Sequence, residues 1–146
     1  MFFIGCAQRH VKEADGPSEN TLFFTRQEKE YIGITQSDVD IFNQHNSHIG
    51  RVPTWFMDKN HNLMVIGELF FDHPQTESIM DDIDTGIVKW GLGLVMTVEV
   101  NDTKCVKKRI TALELTIAPT YDTWIIKAST SIAPIKEMQQ SLLLEQ

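Results

Sequence analysis

The feature that most constrains the fold is a series of short apolar segments, rich in β-branched and aromatic residues and bounded by polar turn residues. Segments of this length and composition are typical of β-strands. None approaches the run of about 18 apolar residues that a membrane span requires, so we expect no membrane association. The segments are residues 2–6, 22–25, 51–57, 63–71, 92–100, 109–118 and 123–128.

Two pairs of these segments are separated by polar connections of hairpin length. The stretch DKNHN joins residues 51–57 to residues 63–71, and Asn101–Lys104 joins residues 92–100 to residues 109–118. We therefore expect each pair to form antiparallel strands.

In the hairpin of residues 51–57 and 63–71, Gly67 predicts a bulge or a close backbone approach. The hairpin of residues 92–100 and 109–118 is expected to supply much of the core. The expected core residues of the second hairpin are Leu94, Met96, Leu113, Leu115 and Ile117.

Two segments have the periodicity of helices. Residues 76–84 place apolar side chains on one face, with Thr76 as the predicted N-cap and Gly86 as the residue that ends the helix. Residues 135–145 place Ile135, Met138, Leu142 and Leu143 at helical spacing.

The sequence therefore predicts a β-dominated α+β fold, a small curved antiparallel sheet or barrel with one or two helices. Residues 1–134 form a single β-rich domain in this interpretation, and residues 135–146 form an amphipathic C-terminal helix. We expect that helix to pack on the sheet or to bind a partner, because its leucines are too apolar to remain exposed. A chain of 146 residues suits one domain.

Charge excludes one class of function. The net charge of −7 argues against nucleic-acid binding, which requires clustered cations. The basic cluster at residues 104–109 is short and interrupted, as expected for a solvated turn. The N-terminal MFFIGC has no basic region, so we expect no signal peptide.

Cysteine and histidine spacing predicts no metal site. Cys6 and Cys105 form no CxxC motif and are expected to be reduced thiols. His45 and His48 lie three residues apart, but the sequence places no third ligand beside them. We therefore expect neither a metal nor an organic cofactor.

Four polar residues within or beside the predicted strands are candidates for chemistry. His45 and His48 lie in FNQHNSHIGRV, Thr97 lies in LVMTVEV, and Glu114 lies in LELTIAP. Each also has a structural interpretation, as a surface histidine, a β-branched strand residue or a carboxylate on the solvent face. The local sequence leaves both interpretations open.

The order of these pieces resembles that of the maturation proteases of virus capsids, which include the tailed-phage prohead proteases and the herpesvirus assemblins. NSHIGRV followed by WFMDKNHNLMVIGEL is similar to the family's histidine segment. SIMDDIDTGIVKWG is similar to its short helix, LVMTVEV to its nucleophile strand, and ALELTIAPTYDTW to its acidic strand. The resemblance covers about residues 41–126.

The resemblance implies roles for individual residues. His48 matches the general base, with His45 as the alternative, Thr97 matches the nucleophile, and Glu114 matches the acid that orients the imidazole. The family uses serine where this chain has Thr97, and the added methyl group crowds the approach to a carbonyl. Glu99 lies where the family has a residue that helps to form the oxyanion site.

The resemblance therefore implies a serine-type prohead protease that cleaves scaffold or capsid peptides without a cofactor, in the host cytoplasm within an assembling capsid. The alternative is a protease-fold protein that has lost catalysis and serves as a structural component of a virion or scaffold. A third interpretation is an unrelated β-rich interaction domain. A homo-oligomer or an assembly contact through the C-terminal helix is expected under the first two.

Overall fold

The computed structural model describes residues 1–9, 32–34, 39–100, 106–119 and 123–143. These residues form eight strands and two helices, numbered here in chain order. The elements are β1 Phe2–Gln8, β2 Ile32–Ile34, β3 Val39–Asn43, β4 His48–Met57, β5 Leu63–Leu69, α1 Thr76–Thr85, β6 Gly91–Val100, β7 Val106–Thr116, β8 Trp124–Ser129 and α2 Ile132–Leu142.

All eight strands belong to one curled sheet, in the order β6-β7-β3-β4-β5-β1-β8, with β2 also paired to β7. The fold is β-dominated α+β, as the sequence predicts. Both predicted hairpins are antiparallel, β4 with β5 and β6 with β7. The sheet is mixed rather than purely antiparallel, because β2 and β3 pair with β7 in parallel. The predicted strand at 22–25 and the turn at 101–104 lie outside the described residues.

The curl gives the sheet an inner face, which encloses the main core, and an outer face. Leu113 and Leu115 are fully buried in the inner core, and Leu94 packs against it, as predicted. The prediction for Ile117 was wrong: its side chain is 50% exposed, because β7 ends one residue earlier. The side chain of Met96 lies outside those that the structure describes.

A single hydroxyl group joins the two ends of the curled sheet. Thr123 Oγ1 accepts a hydrogen bond from the backbone N–H of Leu92 at 2.8 Å and donates one to the Leu92 carbonyl at 2.9 Å. These two bonds satisfy backbone groups that a neighbouring strand would otherwise pair. We call this contact, between the start of β6 and the start of β8, the seam.

Helix α1 packs its apolar face against the inner core. Ile79 and Met80 are buried in the inner core, and Ile83 packs against it. Gly86 ends the helix in the left-handed conformation at φ 70°, as predicted. Thr76 is not the N-cap, a position that Gln75 occupies; the Thr76 hydroxyl instead donates a 2.6 Å hydrogen bond to the Phe70 carbonyl.

Helix α2 covers part of the outer face. Ile135 is fully buried against Ile4 and Ile66, and Met138 and Leu142 pack around them. The helix begins at Ile132, three residues before the predicted start, because Pro134 is accepted in its first turn, where its missing N–H needs no helical partner. The predicted packing of this helix on the sheet is therefore confirmed.

The turn between β4 and β5 is stabilised by one buried carboxylate. Asp58 Oδ1 accepts hydrogen bonds from the backbone N–H groups of Asn60 and Asn62, and Oδ2 accepts one from Asn62 Nδ2. Further along the hairpin, a Cβ atom at Gly67 would collide with the ring of Phe3. The β4–β5 register also shifts between Arg51 and Thr54, whose partners are Glu68 and Ile66, so the predicted bulge is present opposite Gly67.

The outer-face core predicts a large difference between two isoleucines of α2. Ile135→Ala should lower the free energy of unfolding by about 2–5 kcal/mol, because it leaves a cavity beside Ile4 and Ile66. Ile132→Ala, at a side chain that is 37% exposed, should lower it by less than about 1 kcal/mol. Urea unfolding followed by circular dichroism measures both, and equal losses would contradict the described packing of α2.

Candidate functional site

The predicted base His48 lies at the start of β4, on the outer face. Its Nε2 is 3.1 Å from Asp40 Oδ1, and both side chains are about half exposed. Its ring centroid lies 5.2 Å from that of Phe42 and 5.1 Å from that of Phe70, the latter edge-on. The imidazole is therefore held between two aromatic rings, with a carboxylate at one nitrogen.

The carboxylate beside His48 is that of Asp40 and not that of Glu114. Phe42 pairs with His48 on one side and with Glu114 on the other. Glu114 therefore lies two strand spacings from His48, about 10 Å away, with Phe42 between them. The orienting role expected for Glu114 has no contact to support it within the described structure.

Thr97 lies farther from the histidine. It pairs with Arg109, whereas the residue of β6 that shares a row with Glu114 and Phe42 is Gly93. Thr97 is therefore four residues beyond Gly93 along β6, and β6 is three strands away from β4, which carries His48. These separations correspond to about 13 Å along the sheet and about 14 Å across it. The Thr97 side chain lies outside those described, so its chemical role stays a prediction, but the backbone register does not bring the two residues together.

The alternative base His45 lies in the exposed turn between β3 and β4. The buried side chain of Asn43 shapes that turn: its Oδ1 accepts from the backbone N–H groups of His45 and Ser47, both at 2.9 Å. Its Nδ2 donates to Gln75 Oε1. Asn43 therefore connects the turn to the start of α1, and His45 points to no described carboxylate or hydroxyl partner.

A serine–histidine pair that the sequence did not reveal lies beside this turn. Ser47 Oγ is 2.8 Å from His73 Nε2, and the backbone N–H of Gln75 donates to His73 Nδ1 at 3.1 Å. Because Nδ1 accepts a hydrogen bond, the neutral imidazole carries its proton on Nε2 and donates it to Ser47. A general base needs that nitrogen unprotonated, so this pair anchors the turn and does not activate a nucleophile.

A cavity of about 480 Å³ opens at the seam, between the end of α1 and the starts of β6 and β8. Trp90 and Trp124 line it, together with Lys89 and aliphatic side chains that include Ile83 and Ile117. No sequence motif marks this cavity, because its described lining residues come from two distant stretches of the chain, 83–91 and 117–125. The nearest signal was the presence of two tryptophans, each placed beside a predicted strand boundary.

The outer edge of β6 is a second feature that sequence patterns suggested only in part. The strand pairs with β7 along all ten residues. On its other edge, the only partner found within the described ranges is Thr123, at Leu92. The strand pairings make β6 antiparallel to β8, and both strands start at the seam, so they extend from it in opposite directions.

No protein-family model matches the sequence, and no curated protein matches it. Among the residues that the structure describes, no three histidine, cysteine, aspartate or glutamate side chains lie close enough to hold a metal ion. The described helices include none that is long and apolar enough to cross a membrane.

Two buried amides predict opposite responses to substitution. Gln8 is 3% exposed, and neither polar atom of its side chain has a hydrogen-bond partner in the described part of the chain. Gln8→Met should therefore raise the free energy of unfolding by about 1 kcal/mol, because it removes an unpaired buried amide. Asn43→Leu should lower it by about 1–3 kcal/mol, because two backbone N–H groups lose their acceptor.

Thermal unfolding of the two variants beside the unsubstituted chain measures both effects. A lower melting temperature for Gln8→Met would show that this amide has a partner in the folded protein and would contradict the description of its surroundings.

Proposed function

We propose that this chain is a non-catalytic assembly domain that pairs with a second copy of itself through the outer edge of β6. The observation that carries the proposal is the length of that edge, whose backbone groups beyond Leu92 have no partner among the described residues. Under the resemblance to capsid-maturation proteases, the domain would be a structural component of a virion or scaffold within the infected host cell.

The direction of the backbone groups follows from the seam. The N–H and C=O of Leu92 face Thr123, away from β7. Backbone groups alternate in direction along a strand. The register shift between Val95 and Met96 skips a residue of β7 and none of β6, so the backbone groups of residues 94, 96, 98 and 100 also face outward. An edge with four outward-facing residues is a template for another strand.

The composition of β6 favours an identical strand as the partner. GLGLVMTVEV contains no proline and one charged residue, Glu99, so it lacks the residues that usually protect an edge. Two identical strands can pair antiparallel about a two-fold axis, which gives a closed dimer rather than an open fibre. Val95, whose side chain is 46% exposed, would then lie within the continuous outer face of the joined sheets.

The C-terminal helix is a weaker candidate for the assembly contact. Its apolar face is occupied by Ile4 and Ile66 of the same chain, so Ile135 is not accessible to a partner. The expected homo-oligomer is therefore assigned to β6 in this proposal, and the contact through α2 is not retained.

The edge-pairing proposal predicts that a charge at Val95 favours the monomer. Val95→Lys should leave the fold intact, because the side chain is exposed, but it should weaken the dimer, because a lysine on an edge strand opposes pairing with another strand. Ile87→Lys is the matched control, since that side chain is 83% exposed and lies outside β6. Sedimentation equilibrium over a range of concentrations measures the dissociation constants.

The proposal requires that the unsubstituted chain and Ile87→Lys dimerise similarly and that Val95→Lys dissociates at a higher concentration. A chain that stays monomeric up to its solubility limit, or two lysine variants with the same dissociation constant, would overturn it.

One observation favours the peptidase as a second candidate. The contact between His48 and Asp40 is an imidazole–carboxylate pair of the kind that orients a general base. In this second proposal Asp40 would take the role expected of Glu114, and Thr97 would still have to reach His48 through a rearrangement of β6.

The peptidase proposal predicts that Thr97→Ser cleaves protein faster than the unsubstituted chain, because serine keeps the hydroxyl and removes the crowding methyl group. Adding His48→Ala should abolish that gain. The assay follows cleavage of the chain itself and of fluorescently labelled casein. If neither the unsubstituted chain nor the Thr97→Ser variant cleaves protein, the peptidase proposal is wrong and the assembly proposal remains as the one candidate function.

A further inference from the structure

The walls of the cavity at the seam are held in place by hydrogen bonds and by a close backbone contact. On one side, Thr123 ties the starts of β6 and β8 together with two hydrogen bonds. On another side, the backbone of Gly91 lies so close to Pro119 that an added Cβ would approach its Cγ to 2.7 Å. On a third side, Trp90 is held by a 3.2 Å hydrogen bond from its Nε1 to Asp82 Oδ2. A cavity with such walls is available to a ligand without rearrangement.

Apart from the Thr123 hydroxyl, whose hydrogen bonds go to Leu92, the polar side-chain groups of the described lining residues are donors. Among the described residues that line the cavity, Lys89 carries the one charged side chain, and none is an aspartate or a glutamate. Within the described part of the chain, neither the Lys89 ammonium nor the Trp124 indole N–H takes part in an ion pair or a hydrogen bond. The remaining lining is mostly apolar, with indole rings and branched aliphatic side chains.

We infer that this cavity binds a small organic acid, with one carboxylate on an aromatic or branched aliphatic body. The body packs against Trp90, Trp124 and the isoleucines, and the carboxylate accepts from Lys89. A volume of about 480 Å³ lies within the range that small-molecule sites have. Because the chain carries a net charge of −7, the Lys89 ammonium beside the apolar lining attracts an anion locally and is not part of a general basic surface.

The matched probes are 3-phenylpropionate and 3-phenylpropionamide, which differ in the charge of one group. The three tryptophans provide the readout, because their indole N–H resonances are resolved by ¹⁵N NMR. Trp90 and Trp124 line the cavity and should shift on titration, whereas Trp55 lies on β4 and should not. The acid should bind about fivefold more tightly than the amide, the advantage expected of an ion pair near the surface.

Two lysine variants separate the site from a general effect of charge. Lys89→Met should remove the preference for the acid while leaving the amide's affinity unchanged. Lys127→Met, which makes the same charge change at an exposed residue of β8 outside the lining, should keep the preference. N-acetylphenylalanine distinguishes the source of the acid: tighter binding than 3-phenylpropionate indicates a peptide C-terminus, and weaker binding indicates a free acid.

The inference is overturned if neither probe shifts Trp90 and Trp124 saturably, if acid and amide bind equally well, or if the two lysine variants behave alike. None of these measurements depends on the pairing of β6 with a second copy.

Discussion

The structure depends on how one sheet buries two apolar faces. Curling encloses the inner face, and the Thr123 hydroxyl holds the curl by satisfying both backbone groups of Leu92. Helix α2 then covers the part of the outer face around Ile4 and Ile66. One region of the outer face, around Asp40, Phe42 and His48, is covered neither by the curl of the sheet nor by α2. In that region polar and aromatic side chains take the place of an apolar core.

The sequence predicted local features well because they depend on neighbouring residues. The antiparallel pairing of β6 with β7, the end of α1 at Gly86 and the apolar face of α2 all follow from turn length, glycine conformation and helical spacing. The predicted start of α2, residue 135, was three residues too late. Proline usually marks a helix boundary, but the first turn of a helix accepts Pro134.

The candidate site could be predicted far less well, because it depends on pairing between distant strands. Glu114 and His48 share a row of the sheet, but Phe42 of β3 lies between them. Residues 39–43 were not predicted to form a strand, and Asp40 was therefore missed as the partner of His48. The cavity at the seam was missed for a similar reason, since its walls meet only when the sheet curls.

The position of β1 within the sheet has a consequence for folding during synthesis. Among the described strands β1 comes first in the sequence, but it lies between β5 and β8 and pairs with both. One edge of this apolar strand therefore stays without its partner until β8 has been synthesised, and the Thr123 contact forms at the same late stage. Such long-range pairing slows folding and leaves an unpaired edge exposed to other chains meanwhile. A molecular chaperone that holds β1 would protect the nascent chain during this interval.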